Sequence, residues 1–134
     1  MLKILFAFLC GSLLGCNQNI VRQFPVCDQQ SQFLEIIDAK RDVGEKNDGK
    51  LVVMKGILHY YFEDIGVYPS RKSSSLDALW LNFSSSNLVA DSLLEILNGK
   101  DVIVAGRLNI KDKGHGNAYF ASIDSVFCIN RISR

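Results

Sequence analysis

Histidine, proline and tryptophan are scarce in this 134-residue chain, which holds two, two and one of them, and its 15 basic side chains nearly cancel against 14 acidic ones. Each shortage excludes something. Catalytic zinc takes three protein ligands, and with His59 and His115 far apart in sequence and no acidic cluster at metal spacing, no metal site is expected. A net charge of +1 supplies no global field toward nucleic acid or an anionic membrane. The sequence holds no Cys-x-x-Cys pair, no Gly-x-Ser-x-Gly elbow and no constellation of acid, base and nucleophile, so neither an enzyme nor a cofactor is expected. No apolar run reaches the roughly 20 residues that a membrane-spanning helix needs. What is present is 48% apolar residues in dense clusters, enough for one domain with a core and too little chain for two.

The first apolar cluster is Ile4 to Leu14, broken only by Gly11 and Ser12, preceded by Lys3 and followed by the polar residues Asn17, Gln18 and Asn19. As a helix it would extend only about 16 Å against a bilayer core of about 30 Å, and it is apolar all round, unlike a helix packed on a core by one face. It reads as a secretory leader. Its end, Leu13-Leu14-Gly15-Cys16, resembles the lipobox of bacterial lipoproteins, in which a peptidase cuts before a cysteine whose thiol carries a diacylglyceride. The resemblance makes residues 1–15 the signal, Cys16 the lipidation site and membrane attachment a property of the acyl chains, which contribute about 0.8 kcal/mol per buried methylene. In enteric-type sorting an Asp after that cysteine retains the protein at the inner membrane; Asn17 implies the outer membrane, facing the periplasm, with the inner membrane as the alternative. Lys3 is the only charge in the leader, so its removal leaves acids and bases equal in number.

Residues 16–30 read as a lipidated polar tether. Cys27 and Cys128 are the two cysteines left in an oxidising compartment, either as separate buried thiols or as a disulfide joining the start of the domain to its last strand. A bridge closing about 100 residues adds up to roughly 4 kcal/mol in the chain-entropy treatment.

Residues 31–134 form the expected domain. Phe33, Leu34, Ile36 and Ile37 recur at helical spacing, which predicts a helix over 30–42 lying on the main sheet. Beyond it, Asp48-Gly49-Lys50-Leu51-Val52-Val53-Met54-Lys55-Gly56-Ile57-Leu58 matches Asn98-Gly99-Lys100-Asp101-Val102-Ile103-Val104-Ala105-Gly106-Arg107-Leu108 at an offset of 50. Each copy is a turn followed by a strand, with Val52, Met54, Gly56 and Leu58, and their equivalents, alternating onto a core face. Glycine in mid-strand marks a bend or bulge, so Gly56 and Gly106 suggest strands that curl into a small barrel. Strands are also expected at 64–70, 79–83 and 118–132, with a short helix at 91–98 ended by Gly99.

That order of a mainly β chain, with bent first and fourth strands and a helix between strands three and four, resembles the OB-fold, a five-stranded Greek-key barrel. The stretches Tyr68-Pro69-Ser70, Leu79-Trp80-Leu81 and Gly114-His115 are similar to those of bacterial envelope lipoproteins of unassigned activity. The loop from Lys111 to Asn117 and the turn from Glu63 to Lys72 correspond to ligand-framing segments of that fold, which makes Tyr68, Ser70, Arg71, Trp80, His115 and Tyr119 the candidate ligand contacts. Trp80 should point opposite to Leu79 and Leu81. His59, on the face opposite Leu58, reads as a solvated or half-buried strand residue.

The expected function is therefore a non-catalytic binding or interaction module whose partners are the membrane, through its lipid, and an envelope protein or small ligand. Nucleic acid is disfavoured by the charge balance, and an envelope enzyme by the missing constellation. Mass spectrometry of the native product is expected to find residues 1–15 gone and acyl chains on Cys16; an intact Met1 or an unmodified sulphur would refute the leader assignment.

Overall fold

The computed structural model describes residues 35–39, 41–83 and 91–132. The leader, Cys16, Cys27 and the 16–30 tether lie outside the described residues. Six strands run as β1 (Glu35–Ile37), β2 (Leu51–Tyr61), β3 (Asp64–Tyr68), β4 (Leu79–Phe83), β5 (Asp101–Asn109) and β6 (Ala121–Arg131), with one α-helix among the described residues, α1 (Asp91–Leu97), between β4 and β5. The strands β2, β3, β4, β6 and β5 are hydrogen-bonded in that spatial order, and β5 pairs back onto β2, closing a five-stranded barrel. All its pairings are antiparallel except β4 with β6.

The two repeat copies pair with each other. Val52 lies opposite Gly106, Met54 opposite Val104 and Gly56 opposite Val102, so the copies run antiparallel about a local two-fold through the Met54–Val104 pair. The glycines sit where a third strand crowds in. A Cβ on Gly56 would lie 2.5 Å from the Tyr68 carbonyl oxygen and 2.7 Å from Val67 Cγ2; one on Gly106 would lie 2.5 Å from Ile123 Cγ2 and 2.8 Å from the Asp124 oxygen. At Gly56 strand β2 turns from β5 toward β3, which it joins from Ile57 onward. Opposite Gly106 the register of β6 slips between Cys128 and Asp124, and Ser125 takes a positive φ of 49° there, a bulge that bends β6 round the barrel.

The alternating set points inward as the pattern dictates. Val52, Met54, Leu58, Val102, Val104 and Leu108 are buried with Val67, Leu79, Leu81, Ile123 and Val126, and Leu94 and Leu97 of α1 join the same cluster. Tyr60 holds α1 to the barrel: its backbone N–H donates to Asn98 Oδ1 at 2.9 Å and its hydroxyl to Asp91 at 2.8 Å. Val53, Ala105 and Cys128 form a separate buried cluster. Cys128 is disulfide-bonded; Cys27, the partner expected from sequence, lies outside the described residues. No helix among the described residues is long and apolar enough to cross a membrane.

One expected element is corrected. Residues 35–37, inside the helix expected over 30–42, form strand β1, parallel to β2; the part before residue 35 lies outside the described residues. The reason is an open edge. The first half of β2 pairs with β5 on one side, while β3 reaches its other side only at Ile57, so Val52 to Met54 present unpaired backbone groups that Glu35 to Ile37 satisfy. A four-residue apolar run cannot outweigh such an edge.

Gly106→Ala and Gly56→Ala are each expected to cost about 2 kcal/mol or more through overpacking, seen as a lower midpoint in chemical denaturation. Gly44→Ala, with open space around it and an extended φ, should stay within about 0.5 kcal/mol. Equal stability of the Gly106 and Gly44 variants would refute the close approach.

Candidate ligand-binding face

Directly paired residues share one side of a sheet. A single row therefore runs across all five barrel strands: His59 opposite Gly66, Gly66 opposite Trp80, Trp80 opposite Ser122, and Ser122 opposite Asn109. It alternates with the inward row and so faces out, as Trp80 does between the buried Leu79 and Leu81. Gly66 leaves a gap in the middle of this row. A Cβ there would touch Tyr119 Cε1 at 3.0 Å and Tyr68 Cε2 at 3.3 Å, so the missing side chain is what lets both rings lie over β3.

The two rings converge on Asp64. The Tyr68 hydroxyl donates to Asp64 Oδ1 at 2.7 Å, the Tyr119 hydroxyl donates to the same oxygen, and His59 Nδ1 lies 3.3 Å from Oδ2. Both tyrosines are 4% exposed. The His59 ring stacks on Tyr68 with centroids 3.7 Å apart and planes 19° apart. Burial works against the Asp64 carboxylate, but the donors Tyr119, Tyr68 and His59 together outweigh it and hold the group below the usual range. Burial, reinforced by the hydrogen bond to Asp64, pushes the Tyr68 hydroxyl up to about 12 and raises Tyr119 as well.

On the other side of Trp80 a second carboxylate repeats the arrangement. Trp80 Nε1 donates to Asn82 Oδ1 at 2.7 Å, and Asn82 Nδ2 donates to Asp124 at 2.7 Å and Asp112 at 2.9 Å. Asp124 also accepts from Asn109 at 2.7 Å and Ser122 at 2.9 Å. Burial raises the Asp124 carboxyl, and the bonds from Asn82, Asn109 and Ser122 reverse the sign and leave it lowered.

Above these networks lie exposed groups from two connections. The β2–β3 hairpin turns at Phe62 and Glu63, with Phe62 93% exposed, Tyr61 58% exposed and Glu63 at φ 60°. Glu63 Oε2 reaches across to His115 Nε2, at 3.5 Å, in the β5–β6 connection. His115 is also 6.4 Å from Trp80 between ring centroids, and Tyr119 meets Trp80 edge-on at 5.1 Å.

The candidates from sequence thus divide. Tyr68, Trp80, His115 and Tyr119 come together on one face. Ser70 and Arg71 do not: Ser70 bonds Ser73 in the turn after β3, and the Arg71 guanidinium donates to the Gly99 carbonyl. The Lys111–Asn117 connection also differs from its expected use. Gly114 packs against Trp80, where a Cβ would lie 2.6 Å from Cγ, and its N–H is taken by Asp112 at 2.8 Å. Lys113 is turned onto the Phe120 carbonyl and ring. The Gly114 amide is therefore not left for an anion, and the Lys113 ammonium is directed at Phe120.

No family model, curated protein or solved structure matches this chain. The site is therefore defined by its own geometry. Asp64, Gly66 and the exposed pair Tyr61 and Phe62 are central to it, and His59, half-buried on its strand as one of the two expected readings had it, is also a member of the Asp64 cluster. The signal for them is alternation on both sides of a two-residue turn, which puts His59, Tyr61, Asp64, Gly66 and Tyr68 on one face. Among the described residues no group of three or more His, Cys, Asp or Glu could hold a metal ion, and no hydroxyl or thiol nucleophile bonds either histidine.

Asp64 and Asp124 bind protons less readily folded than unfolded, so their stabilisation is complete above the ordinary carboxylate value of 3.8 and is lost as pH falls through the lower folded values. Asp64→Asn is expected to destabilise by about 1–2 kcal/mol near pH 7 and to flatten the fall of Tm between about pH 5 and pH 3. A variant whose Tm falls as steeply as the parent's would disprove the role of this carboxylate.

Proposed function

We propose that this chain is a lipid-anchored envelope module that binds its ligand non-catalytically on the outward face of β2, β3 and β4. On this reading Cys16 carries the acyl chains, residues 16–30 are the tether, and the barrel is of the OB type. The barrel order β2-β3-β4-β6-β5, with β4 parallel to β6 and α1 between β4 and β5, supports that assignment. One observation carries the function: exposed Tyr61, Phe62 and His115 stand over a rigid, internally satisfied polar floor built on Asp64 and Asp124. Catalysis needs a group with spare bonding capacity beside a nucleophile. Here Asp64 already accepts three donors.

The chemistry of the face favours an uncharged saccharide. Aromatic faces at Tyr61 and Phe62 suit the C–H faces of a sugar ring, and Glu63 and His115 at the rim accept from hydroxyl donors. The carboxylates Glu63, Asp64, Asp112 and Asp124 disfavour a phosphate backbone there. Trp80 is the only tryptophan in the chain, so its fluorescence reports the site directly. Titration with chitohexaose, a neutral amino-sugar chain, is expected to give a saturable change in that signal. Tyr61→Ala and His115→Ala should each weaken it about tenfold, close to 1.4 kcal/mol, while Ile96→Ala, at an exposed position on α1, leaves it unchanged. No saturable response would overturn the saccharide reading, and a response to oligo-dT that vanishes with added salt would replace it with nucleic-acid binding.

A further inference from the structure

A second surface, at the opposite end of β3 from the hairpin, has the reverse charge. The turn after β3, the α1–β5 turn and the end of β6 enclose a cleft of about 470 Å³ lined by Arg71, Gly99, Lys100, Asp101, Arg131 and Ile132. Three cations from three distant segments share it with one carboxylate. None of the three forms an ion pair among the described residues, whereas Arg41 beside Asp42 does. Three cations beside a single carboxylate do not follow from composition, since acids and bases nearly balance over the chain.

The walls are fixed by backbone bonds. Gly99 N–H donates to the Leu58 carbonyl at 2.8 Å, Lys100 N–H to Leu97 at 2.9 Å, and Ile132 N–H to Asp101 at 2.9 Å. Arg71 Nη1 donates to the Gly99 carbonyl at 3.3 Å, which orients the guanidinium and leaves its Nε and Nη2 edge without a partner among the described residues. A guanidinium fork held in place, with a second one and an ammonium nearby, matches the oxygens of a tetrahedral anion, where Arg makes two parallel bonds and Lys a point-charge contact. The volume is that of a small-molecule site, which spans about 300–1,000 Å³.

We propose that this cleft binds a compact, multiply charged phosphate-class anion, a phosphomonoester or pyrophosphate, through Arg71, Lys100 and Arg131. The proposal is independent of the saccharide reading, because no residue is shared between the two surfaces. The phosphate belongs either to a free small molecule or to a lipid headgroup, and the chemistry at the cleft is the same for both.

Calorimetric titration of the full chain with inorganic pyrophosphate at low ionic strength is expected to saturate. An Arg71→Gln/Arg131→Gln double variant should bind at least about tenfold more weakly, and Lys111→Gln, an exposed lysine outside the cleft, should bind as the parent does. Because Arg71 also bonds the α1–β5 turn, Lys100→Gln is a further variant that disturbs no hydrogen bond of its side chain; it should weaken binding with Tm unchanged. Vesicles of phosphatidic acid in phosphatidylcholine separate the sources: cleft-dependent binding, displaced by pyrophosphate, assigns the headgroup, and its absence beside pyrophosphate binding assigns a free anion. Absence of saturation, equal binding by the double variant, or binding to oligo-dT that tightens with length and exceeds that of pyrophosphate would overturn the proposal.

Discussion

Gly56 and Gly106 each occupy a point where a methyl group would fall inside the van der Waals envelope of a neighbouring strand. The barrel closes this tightly because those methyls are absent. Closure brings Met54 against Val104, buries both alternating rows, and directs β2 toward β3 just beyond Gly56. That turn determines where the Phe62–Glu63 hairpin emerges, and the pairing of Ala121 to Ile123 with β4, led in by the Phe120 N–H on the Ala78 carbonyl, places Tyr119 in the preceding connection over β3. The hairpin of the outward face is therefore a consequence of a close approach on the inward side, at Gly56.

Gly66 extends the same logic to the surface. A side chain there would push apart the rings of Tyr68 and Tyr119, and Asp64 would keep its charge against burial with fewer donors. With the glycine, the carboxylate is fully supplied, and a partly buried charge becomes a rigid support for the aromatics round it. Trp80 is braced from both sides, by Tyr119 and the Asp64 cluster on one and by Asn82 and Asp124 on the other. The floor of the face is hence pre-formed, and on the proposed reading a ligand need not supply the free energy to order it.

The parts of the fold that rest on short-range pattern were legible in the sequence. Turn glycines, β-branched runs and the repeat located β2 and β5, and the mid-strand glycines foretold their bends. Strand β1 was hidden because its cause is the free edge of β2, a tertiary fact that the helical spacing of four apolar residues could not express. The candidate face is legible in half. Residue type and loop position point to Tyr68, Trp80, His115 and Tyr119, which the fold brings together, whereas proximity along the chain groups Arg71 with them although β3 carries it to the other end. Asp64 escaped notice because its importance comes from Tyr119, 55 residues away, whose hydroxyl it accepts. Long-range polar contacts of this kind leave no periodicity to read.

Opposite charges at the two ends of β3 bear on how a nearly neutral chain can discriminate. Carboxylates surround the aromatic face, while Arg71, Lys100 and Arg131 crowd the cleft beyond Tyr68. Exposed charges interact weakly beyond about 8–10 Å at physiological salt, so each surface presents its own field to what approaches it. On the two proposals, an anion is turned away from the face and drawn to the cleft. On the proposed saccharide reading, a neutral hydroxyl-rich chain feels neither field and is held by contact alone at Tyr61, Phe62 and His115. Under the proposed lipid anchorage, contact of that modest strength suffices: confinement to a membrane surface raises the effective concentration of any ligand fixed to the same envelope, so the face can work with an affinity too weak to retain a freely diffusing partner.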